Sequence, residues 1–184
     1  MELIGLYLVA CGLLIGAGVS KAIRPGDTAR AWASLLPIPV SRLRAGVRIG
    51  SIAEAGLGSI ALVAPRTASA FLVAVSYALF SIVVGFARSK GGAIASCGCF
   101  GTPDTPATTL HVVVNAGLAV SAAAVAISAP TGSIATILAS QPMHGLPLVA
   151  VSALCGWLTY LAISAMAQVQ GARRLTAVSY RSRR

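Results

Sequence analysis

Five long apolar runs, separated by short segments rich in proline, glycine and basic residues, most constrain how this chain of 184 residues can fold. Each run holds about 18 to 23 residues, enough for a helix to cross a hydrocarbon core of about 30 Å. Charged residues make up only 10% of the chain and hydrophobic residues 57%, whereas soluble domains are about 25% charged. Since so few charges cannot cover a soluble fold, the runs predict an all-α, polytopic membrane protein.

The residues that interrupt the runs predict the helix boundaries. We expect membrane-spanning helices over 3–20, 47–64, 67–87, 107–128 and 145–167, with a short interfacial helix over 134–140. The Gly12-x-x-x-Gly16 spacing in the first helix predicts a smooth face for close helix approach. Thr105 or a neighbour is the expected N-cap of the fourth helix, with Pro106 in its first turn. Residues 21–47 are expected to form a basic connection in the headgroup layer, because three prolines break regular structure there.

The order of these segments predicts three parts of the chain. Residues 1–128 form a transmembrane bundle of four helices, residues 129–167 supply an outer-face loop and a fifth membrane-spanning helix, and residues 168–184 form a basic tail. The first run is interpreted as a retained helix and not a signal peptide, because Glu2 precedes it and neither a basic leader nor a cleavage site is present.

The basic residues predict the orientation of the helices. When the 21–47 connection, the segment between the third and fourth helices and the tail share one side, that side collects all 14 Lys and Arg residues except Arg66. The positive-inside rule makes this side cytoplasmic, with the N-terminus outside and the C-terminus inside. A net charge of +10 confined to these segments fits membrane topology better than nucleic-acid recognition. The arginine- and alanine-rich usage fits a GC-rich bacterial genome, so we expect the membrane to be a bacterial plasma membrane.

The segment SCGCFG at 96–101, between the third and fourth helices, contains the clearest candidates for chemistry. A disulfide needs Cα atoms about 4.4 to 6.8 Å apart, and Gly98 gives the backbone between Cys97 and Cys99 the freedom to reach that separation. The ring would be small and strained, and strained disulfides exchange readily. Lys90 and the N-terminus of the fourth helix favour the thiolate. The pair is therefore a candidate redox centre on the cytoplasmic side, an unusual place for a simple periplasmic oxidant.

Other roles stay open for the cysteines. Cys97 and Cys99 can form a structural bridge or remain unpaired, and metal ligation has the least support because a complete site needs three or four ligands. Only His111 lies near them in sequence, so we expect no metal site. Cys11 and Cys155 fall within the first and fifth helices, where cysteine commonly packs as a small hydrophobe. A thiol relay to either of them is the alternative.

A polar cluster is predicted beneath the cysteine segment. Glu54 is the only acidic residue in a predicted span, where charges are costly and usually face the bundle interior. Lys21 ends the first helix on the same side, His111 and Asn115 share a face of the fourth helix, and Ser81 lies at comparable depth in the third. These residues either fix packing by interhelical hydrogen bonds, or Glu54 and His111 serve as catalytic proton acceptors for the thiols. In the second case Lys21, Ser81 and Asn115 are structural.

The segment CGCFG at 97–101, after a basic helix end, resembles the MauE family of methylamine-utilisation membrane proteins, within a broader DoxX-like group. The supporting matches are Gly18-x-x-Lys21, Glu54-x-x-x-Gly58, His111 and Asn115. The resemblance covers residues 1–128 and implies a core of four helices. It also implies a role in maturing disulfide-rich periplasmic enzyme subunits together with a thioredoxin-like partner. Because many members lack a methylamine pathway, that substrate does not carry over.

Two functions follow as hypotheses. In the first, Cys97 and Cys99 shuttle between dithiol and disulfide and exchange with a thioredoxin-like protein or a quinone. In the second, the protein is a non-enzymatic accessory subunit of a larger envelope complex, a transporter or an oxidase, since small residues on its helices suit packing against partners. A transporter in its own right has the least support, because five unequal helices without an inverted repeat offer no midplane site.

Overall fold

The computed structural model describes residues 3–33, 37–89, 108–128 and 132–181, with side chains as far as Ala165. Its helices are α1 (Ile4–Ile23), α2 (Pro25–Ala33), α3 (Val40–Val63), α4 (Thr67–Ser89), α5 (Thr109–Ile127), α6 (Ile134–Ala139) and α7 (Leu146–Arg181). Five of these described helices, α1, α3, α4, α5 and α7, are long and apolar enough to cross a membrane. The predicted all-α, polytopic membrane fold is therefore confirmed.

The spanning helices pack as two pairs with the fifth helix alongside. α1 packs along α3 and α4 packs along α5, while α1 also contacts α5 and thereby joins the pairs. The core between them is closed by Tyr7, Cys11 and Leu14 of α1 and by Val73 and Tyr77 of α4. α7 lies against α1. This arrangement agrees with a bundle of four helices and an added fifth; the division of the chain into three parts stays a prediction.

Large apolar side chains cover the outside of the bundle. Ile49, Ile60, Phe71, Ile82 and Val120 are each more than half exposed. In water such a surface would be unstable and would mark an interaction site. Against hydrocarbon chains it is the favourable surface, so the lipid bilayer is the solvent for these side chains.

The connection predicted over 21–47 is more regular than its prolines indicate. It contains α2 and the first two turns of α3, which begins at Val40 and not near residue 47. Pro25 is the first residue of α2, a position at which a backbone N–H would have no acceptor within the helix, so its absence in proline costs nothing. Pro39 directly precedes α3. Pro25 and Pro39 therefore stand at helix starts, and only Pro37 lies in a bend between helices, whereas the prediction took all three prolines as interruptions.

The C-terminal part also departs from the prediction. The short helix α6 is confirmed, and a turn at Met143 and His144, both with positive φ, leads into α7. α7 then continues to Arg181, although the prediction ended it at 167. Arginine and alanine have high helix propensity, so the helix continues beyond the apolar run that marked its predicted end.

Tyr77 joins the two helix pairs, and its loss is expected to weaken the bundle. Its hydroxyl donates a buried hydrogen bond of 2.7 Å to the carbonyl of Ala10 in α1. Tyr77→Phe is expected to cost about 0.6 kcal/mol, up to about 1.7, the range for interhelical bonds in membranes. Denaturant unfolding in detergent micelles measures this. Ser76→Ala is the control, because the Ser76 hydroxyl donates within its own helix, to Leu72; equal stabilities for the two variants would contradict the prediction.

Candidate functional site

Two glycines set the close approach of α1 and α3. A methyl group at Gly18 would lie 2.7 Å from both the Ala55 nitrogen and the Ser51 oxygen, so the backbones nearly touch there. Gly58 faces α1 in the same way, because a methyl group on it would lie 3.1 Å from the Cys11 oxygen. As the numbering rises along α1 it falls along α3, so the two helices are antiparallel.

The predicted smooth face at Gly12 and Gly16 has a different environment. A methyl group at either position would meet no atom within 4 Å. Both residues line an open apolar groove beside α7 and make no close helix contact. A Gly-x-x-x-Gly spacing shows that a helix has a smooth face, but the residue that packs on that face depends on the other helices.

An ion pair joins α1 to α3 close to the Gly18 contact. It is formed by Lys21, three residues after Gly18, and Glu54, the neighbour of Ala55. The Lys21 Nζ lies 2.5 Å from the Glu54 Oε2, and the two side chains are only 9% and 22% exposed. Side chains in a helix lean toward its N-terminus. Because α1 and α3 are antiparallel, Lys21 leans back into the bundle while Glu54 leans toward the end where Lys21 lies. The two charges therefore converge and neutralise each other.

Phe80 of α4, which was not predicted from the sequence as a site residue, completes the surroundings of the pair. The Lys21 Nζ lies 4.9 Å from the centre of the Phe80 ring, a cation–π distance. Tyr77 contacts the same ring edge to face, with centroids 5.9 Å apart. Phe80 and Tyr77 are three residues apart and share a helix face, which was the available signal. The aromatic contact brings α4 to the ion pair.

His111 is buried at the start of α5, where it helps to cap the helix. Its backbone N–H donates to the Thr108 Oγ1, and its Nδ1 accepts from the Thr108 backbone N–H and lies 2.8 Å from the Thr108 Oγ1. This reciprocal arrangement is a capping box. The N-cap is thus Thr108 and α5 begins at Thr109, not at 107 as predicted; Thr105 and Pro106 lie outside the described residues. The geometry gives His111 a structural task at this end of the bundle.

The other predicted members of the cluster lie in two places. Ser81 does not join the ion pair, because its hydroxyl donates to the Val112 carbonyl at 3.1 Å and so ties α4 to α5. Asn115 and His111 line a small cavity of 50 Å³ together with Lys21 and Phe80. The polar groups thus form an ion pair, a helix cap and an interhelical hydrogen bond.

Lys21 also borders a larger cavity of 430 Å³, between α2, α3 and α4. Glu54 and Phe80 also border it, and Trp32 and Arg42 lie at its outer part. Lys21 and Phe80 therefore border both this cavity and the small one near His111. Within the described residues, every buried side-chain nitrogen and oxygen has a hydrogen-bond partner.

Of the four cysteines, Cys11 and Cys155 lie within the described residues. Cys97, Cys99 and the segment around them lie outside the described residues, but that segment joins Ser89, the end of α4, to Thr108, the cap of α5. It therefore starts and ends at the end of the bundle that carries His111. Cys11 is fully buried in the core, whereas Cys155 is exposed on α7 and does not pack inside.

Comparison with known proteins shows the family of this chain. The family model described as methylamine utilisation protein MauE matches residues 2–129, which include α1 to α5. No curated protein and no solved structure matches the chain. The resemblance inferred from the cysteine segment and the helix glycines is confirmed for this family, while the wider DoxX-like grouping stays a prediction. The chain is a multi-pass membrane protein and belongs to the MauE family.

Proposed function

We propose that this protein is a thiol–disulfide exchange protein of the bacterial plasma membrane, with Cys97 and Cys99 as its redox pair. The observation that carries the proposal is the Cys-Gly-Cys segment itself, in the connection between two membrane-spanning helices. One end of this connection meets the bundle at Thr108, the cap that His111 completes, and His111 lines a small cavity together with Lys21.

The proposed reaction is a two-electron exchange. A thiolate of a partner protein attacks the Cys97–Cys99 disulfide and forms a mixed disulfide, releasing one of the two cysteines as a thiolate. A second thiolate of the partner then attacks the mixed disulfide, which leaves the partner oxidised and Cys97 and Cys99 as a dithiol. A thioredoxin-like disulfide, or a diffusible quinone that takes up two electrons and two protons, reoxidises the pair. Glu54 and His111 are proposed to accept the thiol protons.

The proposed orientation has the N-terminus outside and the C-terminus in the cytoplasm. It rests on the 14 Lys and Arg residues, of which only Arg66 lies between α3 and α4 on the opposite side. The cysteine segment is then cytoplasmic, so the exchange partner is a cytoplasmic thiol protein or a domain that reaches this face. Labelling of Ser89→Cys and Arg66→Cys with an impermeant thiol reagent, in a chain whose four cysteines are replaced by serine, reports the two sides.

Alkylation trapping tests the redox pair. In native membranes acidified at lysis, the wild-type chain is expected to gain two alkylated thiols after reduction, and an added dithiol or oxidant should shift the ratio reversibly. Cys97→Ser and Cys99→Ser should each abolish this change, because each removes one sulfur of the disulfide. Cys155→Ser is the matched control and should leave the change intact. A pair that stays in one state under all these conditions would end the redox proposal.

A second candidate function, an accessory subunit of a larger membrane complex, has one observation in its favour. An apolar groove of 630 Å³ runs between α1, α6 and α7, and Gly12, Gly16 and Gly156 give it a smooth floor. Small residues of this kind allow a further membrane helix to approach closely. Affinity purification from native membranes separates the two functions, because an accessory subunit would co-purify in fixed stoichiometry with a large assembly even when Cys97 and Cys99 are replaced.

A further inference from the structure

The cavity of 430 Å³ between α2, α3 and α4 has a clear origin in the sequence. Gly46 and Gly50 lie one turn apart on α3 and line it, and a methyl group at either would meet no atom within 4 Å. The rest of the wall is mostly apolar, with Val47 from α3 and Val83 and Val84 from α4. Its volume is within the range of about 300 to 1,000 Å³ that is typical of small-molecule sites.

The depth of the cavity in the membrane follows from distances along α3, counted from Val63 at the far edge of the hydrocarbon core. Arg42 lies 21 residues before Val63, the last residue of α3, which is about 32 Å at about 1.5 Å per residue. Glu54 lies 9 residues before Val63, or about 14 Å. Since the hydrocarbon core is about 30 Å thick, Arg42 lies at the headgroup layer and Glu54 near the bilayer centre. A ligand that fills the cavity therefore spans the polar surface and the apolar interior.

Charge selects the polar end of such a ligand. Asp27 and Glu54 are the two acidic residues among those described, and each already pairs with a basic side chain, Arg30 and Lys21 respectively. Five further arginines are exposed at this end of the bundle: Arg24, Arg42, Arg44, Arg48 and Arg88. No carboxylate among the described residues is left to pair with these arginines. The mouth of the cavity is thus positive, and it favours an anion.

We propose that this cavity holds one anionic phospholipid, with its phosphate at Arg42 and an acyl chain along the valine-lined wall. An amphiphile satisfies both parts of the cavity at once. A neutral amphiphile would leave Arg42 without a counter-charge, and an acidic soluble peptide would leave the apolar wall uncovered. The floor of the site is the Lys21–Glu54 pair, which is neutral overall and therefore tolerates an acyl chain beside it better than a single charge would.

The two tryptophans of the chain provide the test. Trp32 borders this cavity, while Trp157 borders the apolar groove beside α7. Full-length protein carrying Trp157→Phe is reconstituted in phosphatidylcholine vesicles that contain, as a minor component, either brominated phosphatidylglycerol or brominated phosphatidylcholine. Bromine quenches a tryptophan only on close contact. We expect brominated phosphatidylglycerol to quench Trp32 more strongly, whereas Trp157, read in the Trp32→Phe variant, should not distinguish the two lipids.

Substitutions at the mouth and in the wall assign the effect to the cavity. An arginine near the membrane surface changes the affinity for anionic lipid about fivefold, so Arg42→Gln should weaken the preference at Trp32 by about that factor. Arg42→Lys should retain most of it. Gly50→Leu should abolish it by filling the cavity, since its side chain meets open space. Arg66→Gln, at the opposite end of α3, is the charge-matched control and should change nothing.

Three results would overturn the proposal. Equal quenching of Trp32 by both brominated lipids would show that no anionic lipid is selected. Absence of quenching by either lipid would show that lipid does not enter the cavity, as expected if a protein segment fills it. A preference for phosphatidylglycerol that survives both Arg42→Gln and Gly50→Leu would place the lipid elsewhere on the surface.

Discussion

Glu54→Leu is expected to destabilise the protein by about 3 to 5 kcal/mol, the cost of leaving a buried charge without its partner. The partner is Lys21, whose Nζ lies 2.5 Å from the Glu54 Oε2 and whose side chain is only 9% exposed. The Phe80 ring, 4.9 Å away, offsets only part of the loss. Unfolding of the full chain in detergent micelles, followed by circular dichroism along a denaturant titration, gives the change in free energy.

A double-mutant cycle separates the ion pair from simple packing. Lys21→Met should also be strongly destabilising, whereas Lys21→Met combined with Glu54→Leu should recover most of the loss, because no unpaired charge remains. Asp27→Asn breaks the pair with the exposed Arg30 and should cost less than about 1 kcal/mol. If Glu54→Leu unfolds like the wild type, or if the two single losses simply add in the double variant, the pair contributes little to the fold.

Glycine substitutions along α1 are expected to change stability in opposite directions. Gly18→Ala should destabilise by about 1 to 3 kcal/mol, the usual cost of overpacking, because its new methyl group would lie 2.7 Å from backbone atoms of α3. Gly16→Ala, two residues earlier, meets no atom within 4 Å. It should be neutral or stabilising by up to about 1 kcal/mol, since alanine is the better helix former. The same denaturant titration measures both.

A second pair on α3 repeats the comparison from the other helix. Gly58→Ala brings a methyl group within 2.9 Å of the Ile15 side chain and 3.1 Å of the Cys11 oxygen, while Gly56→Ala meets open space. Gly58→Ala should therefore destabilise the protein more than Gly56→Ala. If Gly18→Ala and Gly58→Ala were as stable as Gly16→Ala and Gly56→Ala, α1 and α3 would be farther apart than the structure shows. The Lys21–Glu54 contact would then also be in doubt.

The five membrane spans could be predicted because length and hydropathy alone decide them. Their ends could not, because at the membrane surface the apolar pattern stops while the backbone remains free to stay helical. α3 starts at Val40 with three arginines in its first turns, and α7 continues to Arg181 beyond its apolar run. Arginine favours the helix and its long stem lets the charge reach the headgroups. Hydropathy therefore underestimates the length of both helices.

The candidate site was predictable where sequence spacing sets the geometry. Lys21 at the end of α1 and Glu54 in the next span were recognised because charges are rare in membrane helices. Phe80 was missed, since an aromatic residue in an apolar run looks like lipid-facing surface. The packing glycines were identified wrongly: the face of Gly12 and Gly16 was expected to make the close contact, but Gly18 and Gly58 make it. Which face meets which neighbour depends on how all the helices assemble.

The antiparallel contact of α1 and α3 has a consequence for biogenesis. With Arg48 and Glu54 in its apolar stretch, α3 reaches a mean hydropathy of only 1.3 over its most apolar 18 residues, the lowest value among the five described spans, against 1.8 for α1. A nascent helix of this kind partitions poorly from the translocon into lipid by itself. Since α1 is made first and presents Lys21 at the matching depth, the two segments can enter the bilayer as one hairpin whose opposite charges are already cancelled.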